Sequence, residues 1–199
     1  MRRAFLALTA VAVLAGCEIY RPASPDEIAG ARYVSPEPPS VTLMSMVNRS
    51  SGRSAHVGLL INASEQVLYD PAGTFTHPAL PRKGDVHYGM TPRFVDYYER
   101  YHARFDYFVE VQKVEVSRAA AEQLLANAKA KGQGMKMTCA IDMADVLKPV
   151  PPFQDVPVSF FPEALRKSFA DMPGVETHYV YESDIGKNRA WEEPGLPRW

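Results

Sequence analysis

The alternation of apolar and polar positions predicts most of the elements in this chain. Val41-Thr42-Leu43-Met44-Ser45-Met46-Val47-Asn48 alternates closely enough for a β-strand and ends in the polar stretch 48–54. Ala55-His56-Val57-Gly58-Leu59-Leu60-Ile61-Asn62 reads as a buried strand. Ala63-Ser64-Glu65 turns the chain, and Gln66-Val67-Leu68-Tyr69-Asp70 returns as a partner before Pro71 and Gly73 break it, so a β-hairpin is expected. A polar, proline-rich loop covers 71–89.

Periodicity then changes to helical. Aromatic rings recur at helical spacing across 91–101, with Pro92 at a first helical position, which predicts a short helix. Alternation over 106–116 predicts a long strand. Ser117 caps a helix over 118–131, stopped by Gly132 and Gly134. Further helices are expected over 139–147, ended by Pro149, Pro151 and Pro152, and over 162–170. A last strand spans 175–181, and the tail from Gly186 has no assigned element. Strands paired locally, with helices between and after them, predict an α+β domain.

The two ends look different from this domain. Residues 18–40 are rich in Pro, Ser and charge without periodicity, and read as a tether. Residues 1–16 open with Arg2 and Arg3, continue through an apolar run and close on Ala15 and Gly16, the layout of a secretory signal peptide. That run is shorter than the roughly 20 residues a spanning helix needs. Leu14-Ala15-Gly16-Cys17 resembles the lipobox of bacterial lipoproteins. The resemblance implies cleavage before Cys17 and acylation of that residue, with attachment to a membrane through several acyl chains. Glu18 is not the aspartate that retains such proteins in the inner membrane, so the implied location is the outer membrane, facing the periplasm. The expected organisation is a signal peptide over 1–16, a lipidated tether over 17–40, one domain over 41–185 and a tail over 186–199.

Removing Arg2 and Arg3 from 22 basic residues leaves 20 against 23 acidic ones, a formal net charge of −3. A surface with no basic excess argues against a nucleic-acid partner. His77, His87, His102 and His178 have no ligand spacing with one another or with Cys139, so neither a metal nor a cofactor is expected. With Cys17 assigned to lipid, Cys139 is the one remaining thiol. A lone thiol in an exported domain is either a small buried apolar residue or a reactive group.

Three residues fall where a cysteine nucleophile would need them. Cys139 follows a glycine-rich link and starts a helix, where unpaired N–H groups and the helix dipole favour a thiolate. His56 opens a strand and is placed to act as the base. Asp70 lies near the far end of the hairpin partner, across from His56 if the turn centres on Ser64. A register slip of one residue would turn Asp70 to the opposite face and leave Tyr69 or Gln66 in its place. Tyr97, Tyr98 and Tyr101 fit core packing, with a ligand groove as the alternative.

This order resembles the circularly permuted NlpC/P60 group of papain-like proteins, which includes lecithin-retinol-acyltransferase-like members. The resemblance rests on His56-Val57-Gly58-Leu59 opening a strand, a polar residue on the next strand, and the helix from Met137-Thr138-Cys139-Ala140 to Leu147. Val114-Glu115-Val116-Ser117 and its helix are similar to the preceding element. The similarity covers roughly residues 52–150. The chain departs from the pattern at Thr138, where the group has asparagine, and at Ala140, where it has a small hydroxyl residue. The resemblance implies a papain-like antiparallel sheet packed on helices and a thiol hydrolase or acyltransferase acting on amide or ester bonds. Cys139 would be the nucleophile, His56 the base and Asp70 the residue that orients it. Cell-wall peptides, protein termini and lipid esters suit an envelope location. The alternative is an inactive papain-like scaffold that binds a cell-envelope peptide or protein.

Overall fold

The computed structural model describes residues 21–183. The expected signal peptide over 1–16, Cys17 and the expected tail over 186–199 lie outside the described residues. The chain folds as α1 (Pro25–Ala31), β1 (Ser40–Asn48), β2 (Ser54–Asn62), β3 (Gln66–Tyr69), β4 (Arg82–Lys83), β5 (Val86–Tyr88), α2 (Pro92–His102), β6 (Tyr107–Glu115), α3 (Arg118–Lys131), α4 (Cys139–Leu147), α5 (Pro162–Ala170) and β7 (Glu176–Tyr181). The strands form one seven-stranded sheet in the order β4-β5-β3-β2-β1-β6-β7. Every pairing in it is antiparallel. The protein is therefore α+β.

The hairpin and the last strand form where alternation placed them, and α3 begins and ends at the predicted signals. Ser117 Oγ accepts from the Ala120 N–H at 3.1 Å. Gly132 closes α3 at φ 76°, a left-handed conformation that favours glycine.

Two expectations need correction. The segment 18–40 is not a structureless tether along its whole length. Ser24 and Glu27 form a reciprocal capping box, and Pro25 takes the first helical position, which starts α1 in a stretch too short to show periodicity. The flanking backbone is also tied to the domain, through Ala23 N–H to Arg82 O at 2.8 Å and Gln66 N–H to Tyr33 O at 2.8 Å. The second correction concerns the loop over 71–89, which contains β4 and β5. These strands have two and three residues, below the length at which alternation is detectable.

Because side chains alternate across a strand, the sheet buries two different cores. Val41 and Leu43 of β1, Val57, Leu59 and Ile61 of β2, and Val67 and Tyr69 of β3 face α3, α4 and α5. Leu124 and Ala128 of α3, Met143 and Leu147 of α4, and Leu165 and Phe169 of α5 meet them there. Met44 and Met46 of β1, Leu60 of β2, Leu68 of β3, and Val109 and Val111 of β6 face the other way. Tyr98 of α2 covers them together with Phe75, Leu80 and Met90. Each fully buried aliphatic side chain contributes about 1.5–3 kcal/mol.

Candidate active site

The β2–β3 register pairs Leu59 with Tyr69 and Leu60 with Leu68. His56 and Asp70 consequently lie on the same face as Leu60 and Leu68, whereas Tyr69 turns into the opposite core. The register alternatives are settled by this geometry: Tyr69 packs among aliphatic residues, and the Gln66 amide donates to Met90 O. His56 Nε2 lies 2.6 Å from Asp70 Oδ1. The Asp70 carboxyl is fully buried and His56 is a fifth exposed at its side chain.

Asp70 is held by more than His56. The Tyr98 hydroxyl donates to the same Oδ1 at 2.9 Å. Two glycines make room for this pair. A Cβ on Gly58 would come within 2.3 Å of the Tyr98 hydroxyl, and one on Gly73 within 1.9 Å of Asp70 Oδ2. Larger residues at either position would displace the carboxylate or the phenol.

β3 ends opposite Leu59, so the first half of β2 has no partner on that side. α4 packs on β2, and Cys139 at its start lies near enough to His56 to help raise the imidazole. Asp70 takes Nε2, leaving Nδ1 as the ring nitrogen free to meet the thiol. Cys139 is buried, with 6% of its surface exposed.

The electrostatics follow from these contacts. Burial opposes charge on His56, but the Asp70 carboxylate and Cys139 outweigh it and raise the imidazole to about 10. Burial also opposes charge on Asp70, yet His56 outweighs it and holds the carboxyl well below the usual carboxylate range. Burial, with the Asp70 carboxylate adding to it, pushes Tyr98 well above its ordinary value, so the phenol stays a donor. Since Asp70 remains ionised and accepts only, the proton between it and His56 belongs to Nε2.

His102 backs the His56 ring, with centroids 6.0 Å apart and planes 29° apart. Its Nδ1 lies 2.9 Å from Tyr98 O, which as a carbonyl can only accept. Burial lowers His102 to about 4, so this ring is neutral at physiological pH. A neutral ring can stack on a charged one without repelling it.

α4 presents Cys139 at its first position, where N–H groups have no intrahelical acceptor. Thr138 precedes it, but its hydroxyl does not cap the helix. It lies within hydrogen-bond distance of Met135 O, at 2.8 Å, and of the Asp142 carboxylate, which share its one hydrogen. The amides beside the sulfur are thus left unoccupied by the Thr138 side chain. Asp142, one turn into the helix, is balanced by Lys131 at 3.0 Å. Met137 adopts φ 70° just before the cysteine, a left-handed conformation costly to a side chain with a Cβ.

Asp85, in the turn between β4 and β5, ties the two segments of the site together. Its Oδ2 accepts from Ala72 N–H at 3.0 Å and Gly134 N–H at 2.8 Å. Its Oδ1 accepts from Arg82 at 2.6 Å. Buried without exposure, it fixes the loop after Asp70 against the loop before Cys139.

The structure therefore brings Cys139, His56 and Asp70 together. Sequence reasoning missed Tyr98, His102 and Asp85. Tyr98 and His102 had helical spacing as their only signal, which does not say which ring reaches a carboxylate. Asp85 had no signal beyond its place in a turn. Among the described residues no three His, Cys, Asp or Glu side chains are grouped to hold a metal ion. Nor is any helix among them long and apolar enough to cross a membrane. No family model matches the chain, and neither a curated protein nor a solved structure matches it.

Proposed function

We propose that this protein is a cysteine hydrolase or acyltransferase of papain-like, circularly permuted NlpC/P60 type, anchored through lipid on Cys17 and facing the periplasm from the outer membrane. One observation carries the reading: Asp70 lies 2.6 Å from His56 Nε2, and Cys139 is near enough to help raise the same imidazole. Three groups with complementary roles rarely converge in this way for packing alone.

In the proposed reaction His56 Nδ1 holds the proton of Cys139, and the thiolate attacks the carbonyl carbon of an amide or ester. The developing oxyanion is stabilised by the Cys139 N–H and a neighbouring amide of the α4 N-terminus. His56 passes its proton to the departing amine or alcohol, leaving a thioester on Cys139. Water, deprotonated by His56, then releases the acid and restores the thiol; an acceptor amine or alcohol in place of water gives acyl transfer. Asp70 keeps the proton on Nε2 throughout, and Tyr98 and His102 hold the pair in place. The location favours cell-wall stem peptides among the amide substrates.

The test is alkylation of Cys139 by iodoacetamide in the folded domain at pH 6.5. The native protein should react at least tenfold faster than His56→Ala, with Asp70→Asn between them. A thiol that reacts only after denaturation, or at a rate indifferent to His56, would sink the reading and leave a papain-like binding scaffold.

A further inference from the structure

A groove of about 340 Å³ lies on the α2 side of the sheet, away from Cys139. Leu60, Val95 and Val111 form apolar walls, and Glu99 of α2 lines it. Glu99 is 9% exposed, and its carboxyl has no hydrogen bond or ion pair among the described residues. A buried carboxylate without a partner is costly. Burial, with Asp96 adding to it and Arg100 opposing, pushes Glu99 up to about 7.

The rest of the polar lining combines the hydroxyls of Ser35, Ser40 and Thr42, which can donate or accept, with amide and carboxylate groups. The Asn62 amide nitrogen donates to Glu37 O at 3.2 Å and to Pro38 O at 2.9 Å, which uses both of its hydrogens. The Gln66 amide nitrogen donates to Met90 O. Each side chain therefore has its carbonyl oxygen left to offer the groove. Glu37, Glu176 and His178 also line it. Lys113, the one fixed cation of the lining, stands directly across from Glu176 in the β6–β7 register, where opposite charges offset each other. Acceptors and uncompensated carboxylate remain.

We infer that this groove binds a small organic primary amine, its ammonium donating to the Glu99 carboxylate and the amide oxygens of Asn62 and Gln66, its apolar body against Leu60, Val95 and Val111. An ammonium group has three donors and no acceptor, which matches the Glu99 carboxylate and the two amide oxygens. The volume suits a molecule at the small end of the ligand range, where pockets hold roughly 300–1,000 Å³. Glu99 adjoins Tyr98, the donor to Asp70, in sequence only, and none of Cys139, His56, Asp70 or Tyr98 lines the groove. The inference does not depend on the hydrolase reading.

The test is amide and methyl NMR on the full processed chain at pH 8, titrated with n-butylamine and separately with n-butanol and n-butyrate. Saturable shifts confined to the groove with the amine are expected, with affinity at least tenfold weaker for the alcohol, for butyrate and for Glu99→Gln. In the unmodified protein, saturating n-butylamine should move the Glu99 carboxyl titration midpoint downward. Asp96, Arg100, Glu37, Lys113, Glu176 and His178 are the charged or titrating groups around it, and their own midpoints serve as controls. Equal shifts with n-butanol, binding unchanged in Glu99→Gln, or a Glu99 midpoint that does not move would overturn the inference.

Discussion

The two faces of the sheet are buried by different means. Toward α3, α4 and α5 the core is mostly apolar, with Leu124, Met143, Leu147 and Leu165 against Leu43, Leu59 and Ile61. At its β6 edge Arg166 of α5 pairs with buried Glu110 at 2.5 Å and accepts from Gln112 at 3.1 Å through its carbonyl. Toward α2 the buried set includes polar groups: Asp70 and His87 as well as Tyr98. His87 illustrates the contrast, since neither ring nitrogen finds a partner among the described residues and burial lowers it to about 4. Around Leu124 and Leu147 the first face is held by area removed from water, which tolerates exchange of similar volumes. The second is held by directed contacts, in which removing one partner strands the others. The candidate site has His56 and Asp70 on the second face and Cys139 from an element of the first.

This contrast can be broken most sharply at Asp70. Asp70→Ala strands His56 and Tyr98 together, and should cost about 3–5 kcal/mol in chemical denaturation. It should also reduce any Cys139-dependent turnover by on the order of 10³-fold or more, as loss of an orienting carboxylate does elsewhere. Leu124→Ala on the opposite face should cost a similar 2–5 kcal/mol by cavity formation while leaving the rate of the remaining folded protein unchanged. If Leu124→Ala impaired turnover as Asp70→Ala did, the division between the faces would not hold.

A second effect, smaller in free energy, lies in the pH dependence. His56 is raised in the folded protein, so its contribution is complete below the unfolded value of about 6.5 and is lost as pH rises toward about 10. Asp70 is lowered, so its contribution is present above the unfolded value of about 3.9 and is lost only as pH falls through its folded value. The pair should stabilise most between roughly pH 4 and 6.5 and progressively less above that. Urea melts of the native protein and His56→Gln across pH 5–10 should converge as pH rises. Parallel curves would deny the charged pair.

Tyr98→Phe gives the smallest expected change. It removes one hydrogen bond to a charged acceptor, with a cost of about 1.5–3 kcal/mol at most, because Oδ1 keeps His56. The variant should also shift the acid limb of any pH–rate profile upward, since Asp70 loses a donor to its ionised form. A stability loss without that shift would make Tyr98 a packing residue only.

Much of the fold was legible because period and punctuation agree in it. Ser117, Gly132 and the 3.6-residue repeat bound α3 without help from the rest of the chain, and alternation with polar turns bounded β1, β2, β6 and β7. What escaped was short or remote. β4 and β5 are too brief to carry a period, and α1 is a capping box followed by less than two full turns. At the site, Cys139, His56 and Asp70 could be nominated from residue type and position. Tyr98, His102 and Asp85 could not, since each acts through a partner far away in sequence.

The sequence by itself determined which residues can be buried and where elements start and stop, because hydrophobic period, caps and breakers are local. It placed His56 and Asp70 on neighbouring strands within one residue of uncertainty in register. Only the tertiary structure decided that register, packed α4 on β2 so that Cys139 comes near His56, and brought Tyr98 onto Asp70. Those contacts join segments 14 to 28 residues apart and more. They depend on how the two cores pack against one sheet, which no local pattern specifies.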